Sequence, residues 1–134
     1  MYPLSFVPFV LGHLTADYLL QPRAMALQKS AKGLKGFGWC TLHCAVYTLC
    51  ICAFVQFWNP VFVALVYFTH YAVDRYSLAT YWLRLIQGRD ISAAHLDTTS
   101  AHREIDISFA CLVYAVTDNT IHLITLWILM RMFA

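Results

Sequence analysis

The segment PVFVALVYFTHYAVDRYSLATYWL, residues 60–83, decides the fold class of this chain. It is almost wholly apolar, and a helix needs about 17–25 such residues to cross the hydrocarbon core of a bilayer. Within this apolar run, however, His70 and Asp74 stand one helical turn apart. Ionisable groups are costly in lipid, so a membrane helix that carries two of them turns them towards other protein groups. The segment therefore predicts a membrane helix whose polar side faces the interior of a bundle.

The composition of the whole chain agrees with this interpretation. Hydrophobic residues make up 60% of the 134 residues and charged residues 12%, whereas soluble domains have about 45–50% and about 25%. The net charge of +2 is small, and the nine lysines and arginines form no dense basic patch in the sequence. Such a charge distribution excludes a nucleic-acid partner and leaves the lipid bilayer as the expected environment.

Three further apolar segments are long enough to span a membrane, at about residues 3–20, 37–58 and 105–133. Pro22 ends the first segment, and the pair Asn59 and Pro60 forms a turn before the span at about residues 61–83. Four strands are too few for a closed membrane barrel, so the segments must be helices. We predict an all-α polytopic membrane protein, with residues 1–134 forming a single domain, a four-transmembrane-helix bundle.

The ends of the segments predict how the chain is oriented. The first segment lacks a basic leader and a small-residue cleavage site, so we interpret it as a retained helix rather than a signal peptide. Basic residues concentrate in the two polar links and retain them on the cytoplasmic side, which places both termini outside. These residues are Arg23, Lys29, Lys32 and Lys35 in the first link, and Arg84, Arg89 and Arg103 in the second.

Seven ionisable residues inside the four segments form the candidate site. Three segments each carry a histidine and an aspartate four residues apart, which places both on one helix face. Counted from the helix ends at about 1.5 Å per residue, all seven fall in the cytoplasmic half of the bundle. The set is His13, Asp17, His43, His70, Asp74, Asp118 and His122.

Imidazole and carboxylate groups that converge in a helix bundle are typical of a metal site. We predict one or two divalent ions, with zinc as the first choice and manganese, iron or nickel as alternatives. Asp17 and Asp74 are the candidate catalytic carboxylates, as a general base or as a group that orients a histidine. Three other uses stay open for the set: haem ligation by two histidines, a proton or ion relay, and a structural hydrogen-bond network.

Other polar features have a simpler explanation. Cys40 and Cys44 share a helix face, but free cysteines in apolar runs are most often core residues. His95, Asp97 and His102 in the second link could bind a metal, although polar loops commonly carry such residues without one. Basic groups near the site, Arg75 among them, could also receive a phosphate head group.

The quoted blocks LGHLTADYLLQPRAMALQKS, LHCAVYTL, THYAVDRY and DNTIHLITL resemble, in this order, a family of small bacterial and phage inner-membrane proteins of unknown function. The resemblance covers nearly the whole chain and selects the same seven residues, with Gln21 and Lys29 as weaker candidates. It implies a multi-pass protein of the inner membrane. Asn119 departs from the family pattern, in which glutamine is more frequent after the aspartate. The element Thr-His-x-x-x-Asp is more distantly similar to one in membrane-bound metal-dependent hydrolases.

These observations predict an integral membrane metalloprotein that hydrolyses an amphiphilic substrate, such as a phospholipid or an isoprenoid phosphate. The substrate class follows from the location of the site alone. The alternatives are non-enzymatic: a metal or proton transporter, or a metal-stabilised module that binds a partner. The sequence indicates no particular oligomeric state or protein partner.

Overall fold

The computed structural model describes residues 5–134, and these residues form helices and connecting turns without a β-strand. The elements are α1 (Phe6–Leu14), a π-helical turn (Thr15–Leu19), α2 (Arg23–Gln28), α3 (Gly33–Val55), α4 (Pro60–Arg75), α5 (Leu78–Gln87), α6 (Ile91–Leu96) and α7 (Arg103–Phe133). The all-α prediction is confirmed over this range. The predicted start of the first helix at residue 3 lies outside the described residues.

Among the described helices, two are long and apolar enough to cross a membrane, α3 with 23 residues and α7 with 31. They correspond to the predicted spans at residues 37–58 and 105–133. Val55 is the last helical residue of α3, because Gln56 adopts a left-handed backbone conformation with φ of 55°. Two of the four predicted spans thus have the length and apolarity that crossing a bilayer requires.

The first and third predicted spans are interrupted. After α1 the backbone widens into the π-helical turn, where the amide of Leu20 donates to the carbonyl of Thr15, five residues back. Helix α4 begins with Pro60, and the side chain of Asn59 caps it by accepting from the amides of Val61 and Phe62. It ends after 16 residues, because Ser77 has a positive φ of 49°. The predicted helix at 61–83 is therefore divided into α4 and α5.

The residues form two compact units, residues 5–76 with 122–134, and residues 77–121. In the first unit, α3 packs against both α1 and α4. Its apolar core draws on α1, α3, α4 and the last turns of α7, through residues such as Phe9, Ile51, Phe62 and Leu126. The assignment of residues 1–134 to a single domain stays a prediction.

Close contact between α1 and α3 depends on a glycine. A Cβ atom added to Gly12 would lie 3.2 Å from the Cα of Ile51 and 3.3 Å from the carbonyl oxygen of Cys50. Larger residues at this position would push the two helices apart. The neighbouring His13 is consequently held against α3, fully buried.

Candidate metal centre

Six of the seven predicted site residues belong to the first unit. His13, His43, His70, Asp74 and His122 are buried, and Asp17 is partly buried. Asp118 belongs to the 77–121 unit, where it lies on α7 one turn before His122 and is partly buried. The first unit therefore brings together residues from α1, the π-helical turn, α3, α4 and the end of α7.

Three donor atoms form a tight triangle at the centre of this cluster. The Nε2 atoms of His43 and His70 are 2.9 Å apart. Asp74 Oδ2 lies 3.1 Å from the first and 3.2 Å from the second. An ion with bonds of about 2.0–2.2 Å holds neighbouring donor atoms about 3.0–3.4 Å apart. The triangle has the dimensions of one face of a metal coordination shell.

Asp17 approaches the same triangle from the π-helical turn. Its Oδ1 atom is 3.2 Å from His43 Nε2 and 4.0 Å from His70 Nε2, while Oδ2 is 3.3 Å from His13 Nδ1. The carboxylate therefore connects His13 to the central donors. Asp17 lies in the middle of the π-helical turn, so the geometry of this turn contributes to the placement of its carboxylate.

His122 extends the cluster on the other side. Its Nε2 atom lies 3.3 Å from Asp74 Oδ1. Donor atoms of Asp17, His70 and His122 also lie within 4.8 Å of one another, as do those of His43, His70 and Asp74. His70 is common to both groups, so the geometry accommodates one ion or two neighbouring ions.

The profile of a family of proteins of unknown function, DUF3307, matches residues 5–134. The chain belongs to the DUF3307 family. Comparisons with curated proteins and with solved structures give no match. The predicted membership of an uncharacterised family is confirmed, whereas its bacterial or phage origin and its distant likeness to hydrolases stay predictions.

In this DUF3307 chain, two residues of the first polar link reach the cluster. Gln21 Nε2 lies 3.1 Å from Nδ1 and 3.2 Å from Nε2 of the His43 ring. Lys29 Nζ lies 2.7 Å from Asp74 Oδ2, with 12% of the lysine side chain exposed. Between them, Met25 of α2 is buried against the same unit. The link predicted as a polar connection thus covers the site, and both weaker sequence candidates belong to it.

Tyr47 is a site residue that the sequence prediction missed. Its hydroxyl oxygen lies 3.2 Å from His13 Nδ1. Its ring stacks on the imidazole of His70, with centroids 3.5 Å apart and planes 17° from parallel. Tyr47 therefore fixes the orientation of two histidines. The available signal was its position four residues after His43, on the same face of α3.

The other candidate metal sites of the sequence are not assembled. His95, Asp97 and His102 are exposed, and no group of potential ligands within residues 5–134 includes them. The hydroxyl and amide of Thr99 donate to the carboxylate of Asp97 and hold its pKa below the ordinary value. Cys40 and Cys44 are buried free thiols that belong to no such group either.

The donor atoms suit a cation. Within residues 5–134, no hydrogen bond of good geometry reaches Asp17 Oδ1 or His70 Nδ1, although both atoms are buried. Buried carboxylate oxygens without good hydrogen bonds are unfavourable unless a positive charge compensates them. Imidazole nitrogen and carboxylate oxygen are both suitable ligands for zinc, manganese and iron. The residues present therefore fit a divalent ion.

Proposed function

We propose that this protein is an integral membrane metalloprotein with four membrane-crossing segments. Large apolar side chains on the outer surfaces of the helices support this proposal, because a soluble domain would bury them. In the most apolar 18-residue stretch of α7, only 11% of the residues are buried, and in the corresponding stretch of α3 the share is 39%. Helices α1 and α4 are shorter, and each would cross the membrane together with the turns that flank it. Exposed residues of this kind are Leu42, Leu49, Phe54, Val61, Phe68, Leu112, Val116, Ile124, Trp127 and Ile128.

The triangle of His43, His70 and Asp74 carries the proposal of a metal site. Two histidines and one carboxylate would hold an ion from one side and leave a position for a ligand from outside. These ligand types suit zinc as the proposed ion, with manganese, iron or nickel as the alternatives.

The reaction that suits the site best is hydrolysis of an amphiphilic phosphate compound. A divalent ion supplies a Lewis acid that polarises the scissile group and acidifies water. Asp17 is the proposed general base, because its Oδ1 atom lies beside the donor triangle and its Oδ2 atom beside His13. Asp74 holds the histidines of α3, α4 and α7 in place through contacts with all three.

A metal-stabilised module without catalytic activity is the second candidate. The observation that favours it is the cover formed by Gln21 and Lys29, which brings protein groups close to the donor triangle. A transporter is disfavoured, because apolar side chains such as Phe9, Ile51 and Phe62 fill the described core of the first unit. The hydrolase and the module differ in whether the ion keeps an exchangeable position.

Elemental analysis of the protein purified in non-ionic detergent tests the metal site. We expect about one or two divalent ions per chain in the wild type and none in a His43→Ala, Asp74→Asn double variant. A His95→Ala, His102→Ala double variant is the matched control and should retain the ion. Equal metal content in the two double variants would contradict the proposal. Relaxation of water protons is then measured on protein loaded with Mn²⁺. Water that exchanges at the ion would indicate the hydrolase, and its absence would indicate the closed module.

The proposed location is the inner membrane of a bacterium, with both polar links in the cytoplasm and both termini outside. The basic residues of the two links support this orientation. Reagents that do not cross membranes test it on intact cells. Cysteines introduced for Lys32 and Arg89 should stay unlabelled, and one introduced for Trp58, in the turn before α4, should react.

A further inference from the structure

Metal binding alone does not explain the position of Lys29. Its ammonium group lies 2.7 Å from Asp74 Oδ2, the same oxygen that belongs to the donor triangle. Asp74 is 1% exposed in this pair and Lys29 12%. A lysine loses considerable side-chain entropy and hydration when it is held in this way. A buried cation beside a cation site therefore needs a physical reason.

The first link is fastened so that Lys29 points inward. Arg75 Nη1 donates to the carbonyl oxygen of Ala31, at 2.5 Å. The same carbonyl lies against Gly36 at the start of α3, where an added Cβ would clash with it. At the other end of the link, Gln21 contacts the His43 ring. Both attachments hold the backbone around Lys29 against α3, so its position is built into the fold.

The charges of this cluster call for an anion once an ion is bound. Two carboxylates, Asp17 and Asp74, face a divalent ion and the Lys29 ammonium, while the ligating histidines are neutral. An ion ligated by Asp74 Oδ2 would place a second positive charge beside the ammonium group. Two cations at one carboxylate oxygen repel each other, so the ammonium group then favours another anionic partner. An anionic ligand bound at the ion provides such a partner.

We propose that Lys29 binds the phosphate oxygen of a phosphodiester lipid at the metal site. This inference rests on the proposed function and narrows its substrate class. A phosphodiester has one oxygen for the ion and another for the ammonium group. Lysine contacts phosphate as a point charge through a flexible stem, which lets Lys29 exchange Asp74 for the ligand.

The test measures lipid binding to metal-loaded protein in non-ionic detergent. The probe is dihexanoyl phosphatidylglycerol, with dihexanoylglycerol as the analogue without phosphate, and the readouts are calorimetry and the ³¹P resonance of the lipid. Lys29→Met removes the charge and keeps most of the stem. We expect its affinity for the phosphodiester lipid to fall about tenfold or more. Lys29→Arg should restore most of the affinity, and Lys32→Met, at an exposed position, should bind like the wild type.

Metal content is measured first in every variant, so the two proposals can fail separately. A wild type without metal would overturn the proposed function and this inference together. Metal-loaded Lys29→Met that binds the lipid as tightly as the wild type would overturn this inference alone. Equal binding of dihexanoylglycerol by the wild type would do the same, because the phosphate would then contribute nothing.

Discussion

Two groups of histidine and aspartate residues in this chain differ in almost everything except their composition. His43, His70 and Asp74 are buried in the first unit, with donor atoms within 3.2 Å of one another. His95, Asp97 and His102 lie exposed in the 77–121 unit. There, Asp97 accepts hydrogen bonds from the following residues instead of facing a histidine. The same residue types thus form a ligand set in one region and a solvated loop in the other.

The difference shows what makes such residues chemically significant. Water satisfies the exposed group at no structural cost, so its members need no partners. The buried group must be satisfied within the protein, which forces its members towards one another from separate helices. Convergence under burial, rather than the presence of histidine and aspartate, separates the candidate site from the loop.

Removal of the ion should have the largest of the expected effects, and it should act through the buried group and not through the exposed one. We expect a chelator to lower the midpoint of thermal unfolding of the wild type, because ligand present at about 100 times its Kd stabilises by about 2.7 kcal/mol. Thermal unfolding in detergent with and without chelator measures the effect. The His95→Ala, His102→Ala variant should respond like the wild type, and His43→Ala should not respond. A chelator effect that persists in His43→Ala would place the ion elsewhere.

Tyr47→Phe should have an intermediate effect. The variant keeps the ring stacked on His70 and removes only the hydroxyl group next to His13. Loss of a group that orients metal-site residues typically costs about 10–100-fold in metal affinity. Competition with a fluorescent chelator measures this change. Tyr81→Phe, in the exposed α5 region, is the control and should leave the affinity unchanged. Unchanged affinity in Tyr47→Phe would show that the hydroxyl is dispensable.

Loss of the cap of α4 should be weaker. Asn59 accepts from the amides of Val61 and Phe62, and replacement of such a cap by alanine costs about 1 kcal/mol. Asn59→Ala should lower thermal stability by this amount and retain the metal, because α4 carries His70 and Asp74 about three and four turns further on. Loss of the ion in Asn59→Ala would mean that the cap contributes to the position of the ligands.

The smallest effect is expected at the cap of α6 in the exposed region. Desolvation alone would raise the pKa of Asp90, but hydrogen bonds from Arg84 and from the amides of Ala93 and Ser92 lower it. The stabilisation of α6 by ionised Asp90 is therefore complete above the ordinary pKa of an aspartate, and it is lost as the pH falls through the lowered pKa of Asp90. Amide exchange of Ser92 and Ala93 should accelerate on acidification, and Asp90→Asn should remove most of that dependence. If amide exchange in Asp90→Asn depended on pH as strongly as in the wild type, the dependence would belong to another titrating group.

The sequence predicted those parts of the fold that depend on long apolar runs. Helices α3 and α7 were predicted within a few residues of their observed ends, because their composition permits no interruption. The buried position of His13, His43, His70, Asp74 and His122 was predicted because burial of charge is costly and must be shared. Both predictions depend on apolarity and on the cost of buried charge, which act on many residues at once.

Local backbone geometry and covering residues were harder to predict. The positive φ at Ser77 divides the third predicted span, and no neighbouring glycine or proline in the sequence predicts it. The π-helical turn differs from a regular helix in a single hydrogen-bond register. Lys29 belongs to a link with several basic residues, and in the sequence only the family resemblance distinguishes it from Lys32. In each case the outcome depends on a few contacts between distant parts of the chain.

The π-helical turn at Thr15–Leu19 has a consequence for how the site could be lost or gained. A π-helical turn is equivalent to a regular helix with one residue inserted. Deletion of one residue within it would restore a regular helix, because the wide turn already accommodates the additional residue. Gln21 and the link beyond it would then keep their places beside His43, while Asp17 would lose the backbone geometry that places its carboxylate. A one-codon deletion, with every charged side chain retained, would therefore separate the contribution of Asp17 from that of the cover of the candidate site.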